Sequence, residues 1–280
     1  MTSKELLRWG IDELNSAGID EAESDARILL EHFANIDRQK LILDGDCEVA
    51  DDKEHAFLEA IAKRLKHIPV QYITGVQNFM GIEFAVNEDT LIPRFDTEVL
   101  VEEVLKVIKD GDRIMDMCTG SGCILLSILK YSNECDGTGV DISEGALRVA
   151  TANAANLNID AKFVKSNLFE SVKKEEYDII VSNPPYIKSD VIASLMPEVR
   201  EHEPMLALDG DADGLSFYRK IVDKAHEYLR DGGMLLFEIG YDEGDDVSQM
   251  MKTEGYADVR VIKDLAGLDR VVSGTYLLKR

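Results

Sequence analysis

The sequence predicts an α/β protein in which a mainly parallel, helix-covered sheet follows a small helical bundle and a short β-hairpin. Two observations carry this. From Asp112 onward, short apolar runs alternate with helix-length segments, the pattern of a parallel sheet buried on both faces. Before residue 70 the apolar spacing is helical and no strand signal is convincing. The expected organisation is a helical bundle over 1–70, a hairpin linker over 71–90 and an α/β domain over 91–280.

The elements follow in order. "SKELLRWGIDELNSAG" sets Leu6, Leu7, Trp9, Ile11 and Leu14 at near-helical spacing, with Ser3 as N-cap and Gly18 as stop. "DEAESDARILLEHFANI" and "DDKEHAFLEAIAKRLKHIPV" repeat the pattern, and Pro69 ends the latter. "YITGVQNFMGIEFAVN" alternates partially around Gly75 and Gly81, as a hairpin would. "LIPRFDTEVLVEEVLKVIK" reads as a turn at Pro93, an N-cap at Asp96 and an amphipathic helix. Candidate strands cover 113–118, 136–140, 161–165, 177–182, 234–239, 257–262 and 271–279. The last two lack a helix between them, so an antiparallel hairpin is expected at one edge of the sheet.

Composition narrows the function. A chain of 280 residues, 45% hydrophobic and 30% charged, suits one large globular domain or two ordinary ones. "MTSKELLRWG" has no apolar core of a signal peptide, and no apolar run reaches membrane-spanning length, so a cytoplasmic protein without membrane contact is expected. The four cysteines lack zinc spacing, so reduced thiols and no metal are expected. A net charge of −23 argues against a large nucleic-acid footprint and favours a basic protein partner or a small molecule.

"IMDMCTGSGCILLSILK" is a strand, a Gly-rich turn and a helix. Gly120 and Gly122 permit a tight turn and close backbone approach to a ligand, and Asp141 follows about 20 residues later, where a carboxylate accepts from ribose hydroxyls. Leu125 stands where a dinucleotide fingerprint needs Gly or Ala, and no Gly-Lys-Ser/Thr follows, so a nucleoside site without phosphates remains. Asp116 is suited to holding the turn's N–H groups or a ligand ammonium. In "SNLFE", Asn167 suits an adenine edge, with Leu168 or Phe169 against its face. "IIVSNPPYIK" ends a strand on Asn183, Pro184, Pro185 and Tyr186; neither ring nitrogen can donate to the ladder.

"DMCTGSG", "GVDIS", "SNLFE" and "VSNPPY", in this order, resemble the seven-stranded Rossmann-like methyltransferases that use S-adenosylmethionine (SAM). The N-P-P-Y tetrad narrows the resemblance to enzymes that methylate planar nitrogens. "YITGVQNFMGIEF", "LIPRFDTE", "VREHEPMLALDGDADGLSFYRKI" and "LLFEIG" are similar to the release factor glutamine methyltransferases, over nearly the whole chain. Phe95 stands where that family usually reads Pro, Cys118 where many members have Gly, and Asn167 where many have an Asp-containing stretch.

The resemblance implies methyl transfer from SAM, leaving S-adenosylhomocysteine, to the glutamine side-chain amide in the Gly-Gly-Gln loop of class I peptide chain release factors. It implies that Cys118, Thr119, Gly120, Ser121, Gly122, Asp141, Asn167 and Leu168 hold the cofactor, with Asn183 shared between cofactor and substrate. Asn183 Oδ1 and the Pro184 carbonyl would accept the two amide hydrogens, with Pro185 stiffening the turn and Tyr186 packing on the flat amide. Arg94, Glu238, His202 and Glu203 carry no assigned role, although Glu238 would line the pocket and the last two a loop near the site. Competing readings are a ribosomal-protein glutamine or nucleic-acid amine methyltransferase, a nicotinamide-dependent oxidoreductase, and a SAM-binding module without activity.

Overall fold

The computed structural model describes residues 1–278 and separates into two compact units. The first comprises Met1–Val76 and Met196–His202, the second Gln77–Leu195 and Glu203–Arg280. Lys279, the last residue of the expected final strand, lies outside the described residues.

The first unit holds helices α1 (Ser3–Ser16), α2 (Ala22–Ala34), α3 (Arg38–Asp44), α4 (Asp51–Arg64) and α5 (Val70–Thr74). Leu6, Leu14, Leu29, Leu30, Phe57 and Ile61 form its dry centre. The N-cap of α1 is Thr2 rather than Ser3: the Thr2 hydroxyl accepts from the Glu5 amide while the Glu5 carboxylate accepts from the Thr2 amide, a capping box. Helix α4 stops at Arg64, ahead of Pro69, and the Arg64 side chain turns inward. Its guanidinium donates to Asp25 at 2.6 Å and to Glu198 at 2.8 Å. Glu198 lies on a later helix, α9 (Pro197–His202), which nothing in the sequence pattern assigns to this unit.

The second unit begins with strands β1 (Val76–Phe79) and β2 (Ile82–Ala85), the expected hairpin, followed by helix α6 (Glu98–Leu105). Asp96 does not cap this helix. It sits in a 3-10 turn over Phe95–Thr97, and its carboxylate instead pairs with Arg270 at 3.2 Å. Then come β3 (Arg113–Met117), α7 (Cys123–Tyr131), β4 (Asp136–Asp141), α8 (Glu144–Leu157), β5 (Lys162–Lys165) and β6 (Tyr177–Ser182). Beyond α9 follow α10 (Met205–Leu208), α11 (Ser216–Ala225), β7 (Leu229–Glu238), α12 (Gly244–Thr253), β8 (Ala257–Lys263) and β9 (Asp269–Thr275).

Seven strands form one sheet in the order β5-β4-β3-β6-β7-β9-β8. The first five are parallel, and β9 runs antiparallel to both β7 and β8, as the edge hairpin requires. Strand β7 starts five residues earlier than expected, at Leu229, because a bulge carries its pairing past Gly232 and Gly233. Alternation splits the core: Met115, Met117, Ile180 and Phe237 pack on one face, Ile114, Ile179, Val181 and Leu236 on the other.

Leu125 has a physical explanation here. The small residue that lets α7 approach the sheet is on the strand rather than the helix. A Cβ on Gly137 of β4 would meet Leu129 Cδ1 at 2.6 Å and Leu125 Cδ1 at 3.0 Å. Among the described residues, no helix is long and apolar enough to cross a membrane.

Candidate active site

Strand order reverses between β3 and β6, and ligands of open α/β sheets bind outside the carboxyl ends of strands at such a point. A cavity of about 210 Å3 lies there. Met117 and Cys118 at the end of β3, Val140 and Asp141 at the end of β4, and Asn183 after β6 all open onto it.

The turn after β3 is built from alternating left-handed residues: Cys118 (φ 65°), Gly120 (φ 55°) and Gly122 (φ 79°). Glycine takes this conformation freely, while an L-residue such as Cys118 is strained in it. The conformation aims the Gly120 amide at Asp141 Oδ2, 2.9 Å away, and leaves open space where a Gly120 side chain would stand. Asp141 Oδ1 accepts from the Ser143 amide at 2.9 Å. Each Asp141 oxygen therefore holds one backbone amide and keeps a further acceptor site. Burial raises the Asp141 pKa, against the pull of these amides.

Beneath the turn, Asp116 is fully buried and accepts from the Thr119 hydroxyl at 2.6 Å; among the described residues its Oδ1 has no hydrogen-bond partner and the side chain does not line the cavity. Burial pushes this carboxyl up to about 7. Thr119, Gly120, Ser121, Ser166, Asn167 and Leu168 also line the cavity. Asn167 donates to its neighbour Glu170 at 2.8 Å, and Leu168 is left-handed (φ 49°). Gly122 caps α7 and, among the described residues, does not line the cavity.

The turn after β6 packs differently on its two sides. Pro184 and Pro185 are buried, and Pro185 faces the cavity. Asn183 Nδ2 donates to the Thr97 hydroxyl at 3.4 Å. Among the described residues, Pro184, Tyr186 and Glu238 do not line the cavity. The Tyr186 hydroxyl points away from it, donating to Glu238 at 3.4 Å. Glu238 is thus behind the site rather than on its wall, and burial holds its carboxyl at about 7.

The remaining candidates separate. Arg94 lines the cavity and is ion-paired with buried Glu203. His202 does not line it: that residue belongs to the helical unit, where its Nε2 lies 3.0 Å from the Lys66 carbonyl oxygen. Three further residues carry almost no signal in the sequence. Thr97 is buried inside a motif whose evident message is a helix start. Gly210 and Gly214 back the tetrad: Ile187 donates to Leu208 and the Gly210 amide to Ile187, so the segment 208–214 braces the backbone at Tyr186. The "DGDADG" spelling is their only trace.

Comparison with known proteins accords with this geometry. Residues 5–75 match the family model described as the PrmC N-terminal domain, and residues 94–199 that of the methyltransferase small domain. The chain is 41% identical over 278 residues to the release factor glutamine methyltransferase of Clostridium acetobutylicum, covering 97% of this chain and 98% of that one. It is 38% identical over 273 residues to the protein of the same name from Geobacter sulfurreducens, covering 98% and 96%. Among solved structures, a Pyrococcus furiosus methyltransferase superposes with a TM-score of 0.55 at 17% identity, over 71% of this chain and 91% of that one. The likeness to that structure is one of fold.

Proposed function

The chain belongs to the release factor glutamine methyltransferase family, and from that premise we propose that it methylates the side-chain amide nitrogen (N5) of the Gly-Gly-Gln glutamine in class I release factors, with SAM as donor. The observation that carries the reading is Asn183, an amide at the end of β6 that opens onto the same cavity as Asp141 and the Gly-rich turn. The residues present fit the cofactor. Asp141 keeps free acceptor sites for ribose hydroxyls, Gly120 leaves open space beside them, and Leu168 and Asn167 offer an apolar face and a polar edge to adenine. When bound, SAM supplies a sulfonium methyl group and is left as the thioether.

The chain's own residues then position the nucleophile. A carboxamide nitrogen is weakly nucleophilic, so alignment in a dry site dominates. Asn183 Oδ1 accepts one N–H of the target amide and the Pro184 carbonyl the other. Both acceptors strengthen as the nitrogen gains positive charge, which is when stabilisation accelerates the step. A nitrogen held in this way would take the methyl group from the bound donor and would afterwards lose a proton to water. Pro184 and Pro185 fix the direction of the acceptors. Tyr186, anchored to Glu238, supports the turn from behind.

We assign recognition of the release factor to the helical unit and the acidic surface, and a cytoplasmic place of action follows from that substrate. Methyl transfer from labelled SAM to a purified class I release factor tests the reading. Label is expected on the wild-type factor and absent when the Gly-Gly-Gln glutamine is replaced. Equal labelling of both would overturn it.

A further inference from the structure

We propose that Asn153 is a positioning residue that fixes the shape of the SAM-binding turn from outside the cavity, by gripping the Ser121 carbonyl and the β-hairpin at once. The inference rests on the reading of Thr119, Gly120 and Ser121 as cofactor contacts. Asn153 lies on α8, is 2% exposed, and among the described residues does not line the cavity. Asparagine is a poor helix former, and a buried amide must find hydrogen-bond partners, so its partners explain its presence here.

Those partners are backbone groups. Asn153 Oδ1 accepts from the Ala85 amide at 2.8 Å. Nδ2 donates to the Ala85 carbonyl at 3.0 Å and to the Ser121 carbonyl at 2.9 Å. The orientation of the side-chain amide is forced, because an N–H faces the oxygen and two carbonyls face the nitrogen. Ala85 ends β2, and the hairpin is a two-stranded sheet, so among the described residues β2 has an edge without a strand beside it. Asn153 exchanges both bonds with Ala85 as the peptide of a neighbouring strand would, and gives its second hydrogen to the turn. The hairpin is itself tied to the segment around the cavity: Gln77 Nε2 donates to the carbonyl of cavity-lining Pro93 at 3.1 Å, and Glu98 Oε1 accepts from the Met80 amide at 2.6 Å.

The turn needs such a holder. Ser121 stands between Gly120 and Gly122, both left-handed, and glycine changes conformation at little steric cost. Torsional preference therefore does not set the direction of the Ser121 carbonyl. Asn153 takes its oxygen, and the Gly122 amide donates to the Thr119 carbonyl at 2.8 Å, so the peptide unit between Ser121 and Gly122 is held at both ends. Helix α8 meets the turn at a second point on the same face: a Cβ on Gly122 would stand 3.2 Å from Ala150 Cβ. The other end of the turn is tied to β4, through the Thr119 amide to the Val140 carbonyl at 3.0 Å and the Gly120 amide to Asp141. Removing the Asn153 amide frees one end of the turn only, and leaves the Ser121 carbonyl without its donor.

Calorimetry with SAM and amide exchange test the proposal. Asn153→Ala should raise the SAM dissociation constant by about tenfold or more, the scale of an unpaired buried carbonyl. The kcat at saturating SAM should stay within about threefold, because Asn183 and the turn after β6 are untouched. Asn153→Asp at pH 8, close in shape but with no hydrogen to give once ionised, should weaken SAM likewise. Val104→Ala, in the packed core under α6, is the control for stability alone: it should lower the melting temperature and leave the SAM dissociation constant within about twofold. In the protein without SAM, the Gly122 amide of Asn153→Ala should exchange about tenfold faster relative to the Ile180 amide of β6. Folded Asn153 variants that bind SAM within about twofold of wild type, a Val104→Ala variant that weakens SAM as much as they do, or an unchanged Gly122 exchange would overturn the proposal. If the wild type bound no SAM, the functional reading would fall, and the Gly122 exchange would still decide whether Asn153 holds the turn.

Discussion

A Cβ added to Gly210 would stand 2.7 Å from the Tyr186 Cα and 2.8 Å from the Tyr186 carbonyl carbon. Backbone therefore lies against backbone behind the tetrad, and neither side has a flexible end that can yield. Gly210→Ala should push the turn that carries Asn183 and lower turnover by about 100-fold, the scale of a 1 Å misplacement. Steady-state kinetics beside SAM calorimetry checks this: kcat should fall while the SAM dissociation constant holds. A wild-type kcat would show that the brace is not needed.

Asn183→Ala removes the side-chain acceptor and leaves the Gly-rich turn untouched. Turnover is expected to drop by about 100- to 1,000-fold, as for loss of one oriented transition-state partner. SAM binding should stay within a few-fold of wild type. Residual turnover near wild type would remove Asn183 from the mechanism.

Cys118 holds φ 65° where a β-carbon is strained. Gly and Ala substitutions delete the same sulfur contacts, so their difference isolates the backbone. Cys118→Gly should be more stable than Cys118→Ala by about 1 kcal/mol, the αL penalty less the extra freedom of glycine in the unfolded chain. Urea unfolding of the two variants measures it. Equal stability would mean that the turn relaxes.

Three buried carboxyls set a pH window for stability. Asp116, Glu238 and Glu243 all stand at about 7 in the folded protein, raised by burial from 3.8, 4.5 and 4.5. The folded state binds these protons more tightly, so their contribution is complete below about pH 4 and is lost as pH rises through about 7. Each can cost the folded state about 3 to 4 kcal/mol once ionised. The melting temperature should therefore fall between pH 5 and 8. Exposed carboxylates held low, such as Asp213 and Glu227 at about 2, act in the opposite direction only in more acidic solution. Asp116→Asn should narrow the gap between pH 5 and pH 8; an unchanged gap would place the dependence elsewhere.

The net charge of −23 should steer a basic release factor toward the protein. Stopped-flow association is expected to slow several-fold between 50 and 300 mM salt, as screening shortens the reach of surface charge. A salt-independent on-rate would exclude steering.

Much of this architecture is legible in the amino-acid sequence. Alternating runs after Asp112 announce the sheet because parallel strands are continuously apolar and their crossovers amphipathic. Asp141 and the turn residues stand out because glycine and carboxylate spacing reflects backbone geometry. Thr97 is illegible because its partner, Asn183, is distant in sequence and adjacent only across the sheet end. Asp96 misleads for a related reason: the helix-cap signal is genuine locally, but an arginine from β9 reaches the carboxylate. Glu198 is silent too, since nothing short-range announces a partner on α4.

The pairing of Arg64 with Glu198 has an evolutionary consequence. The helical unit is stitched from two stretches of chain, so it is not a portable cassette. Grafting the first 76 residues onto another methyltransferase would strand a buried guanidinium between Asp25 and an empty place. Cutting them away would orphan Glu198 instead. A lineage that recombined this region would have to exchange both stretches together, which favours inheritance of the whole chain as one piece.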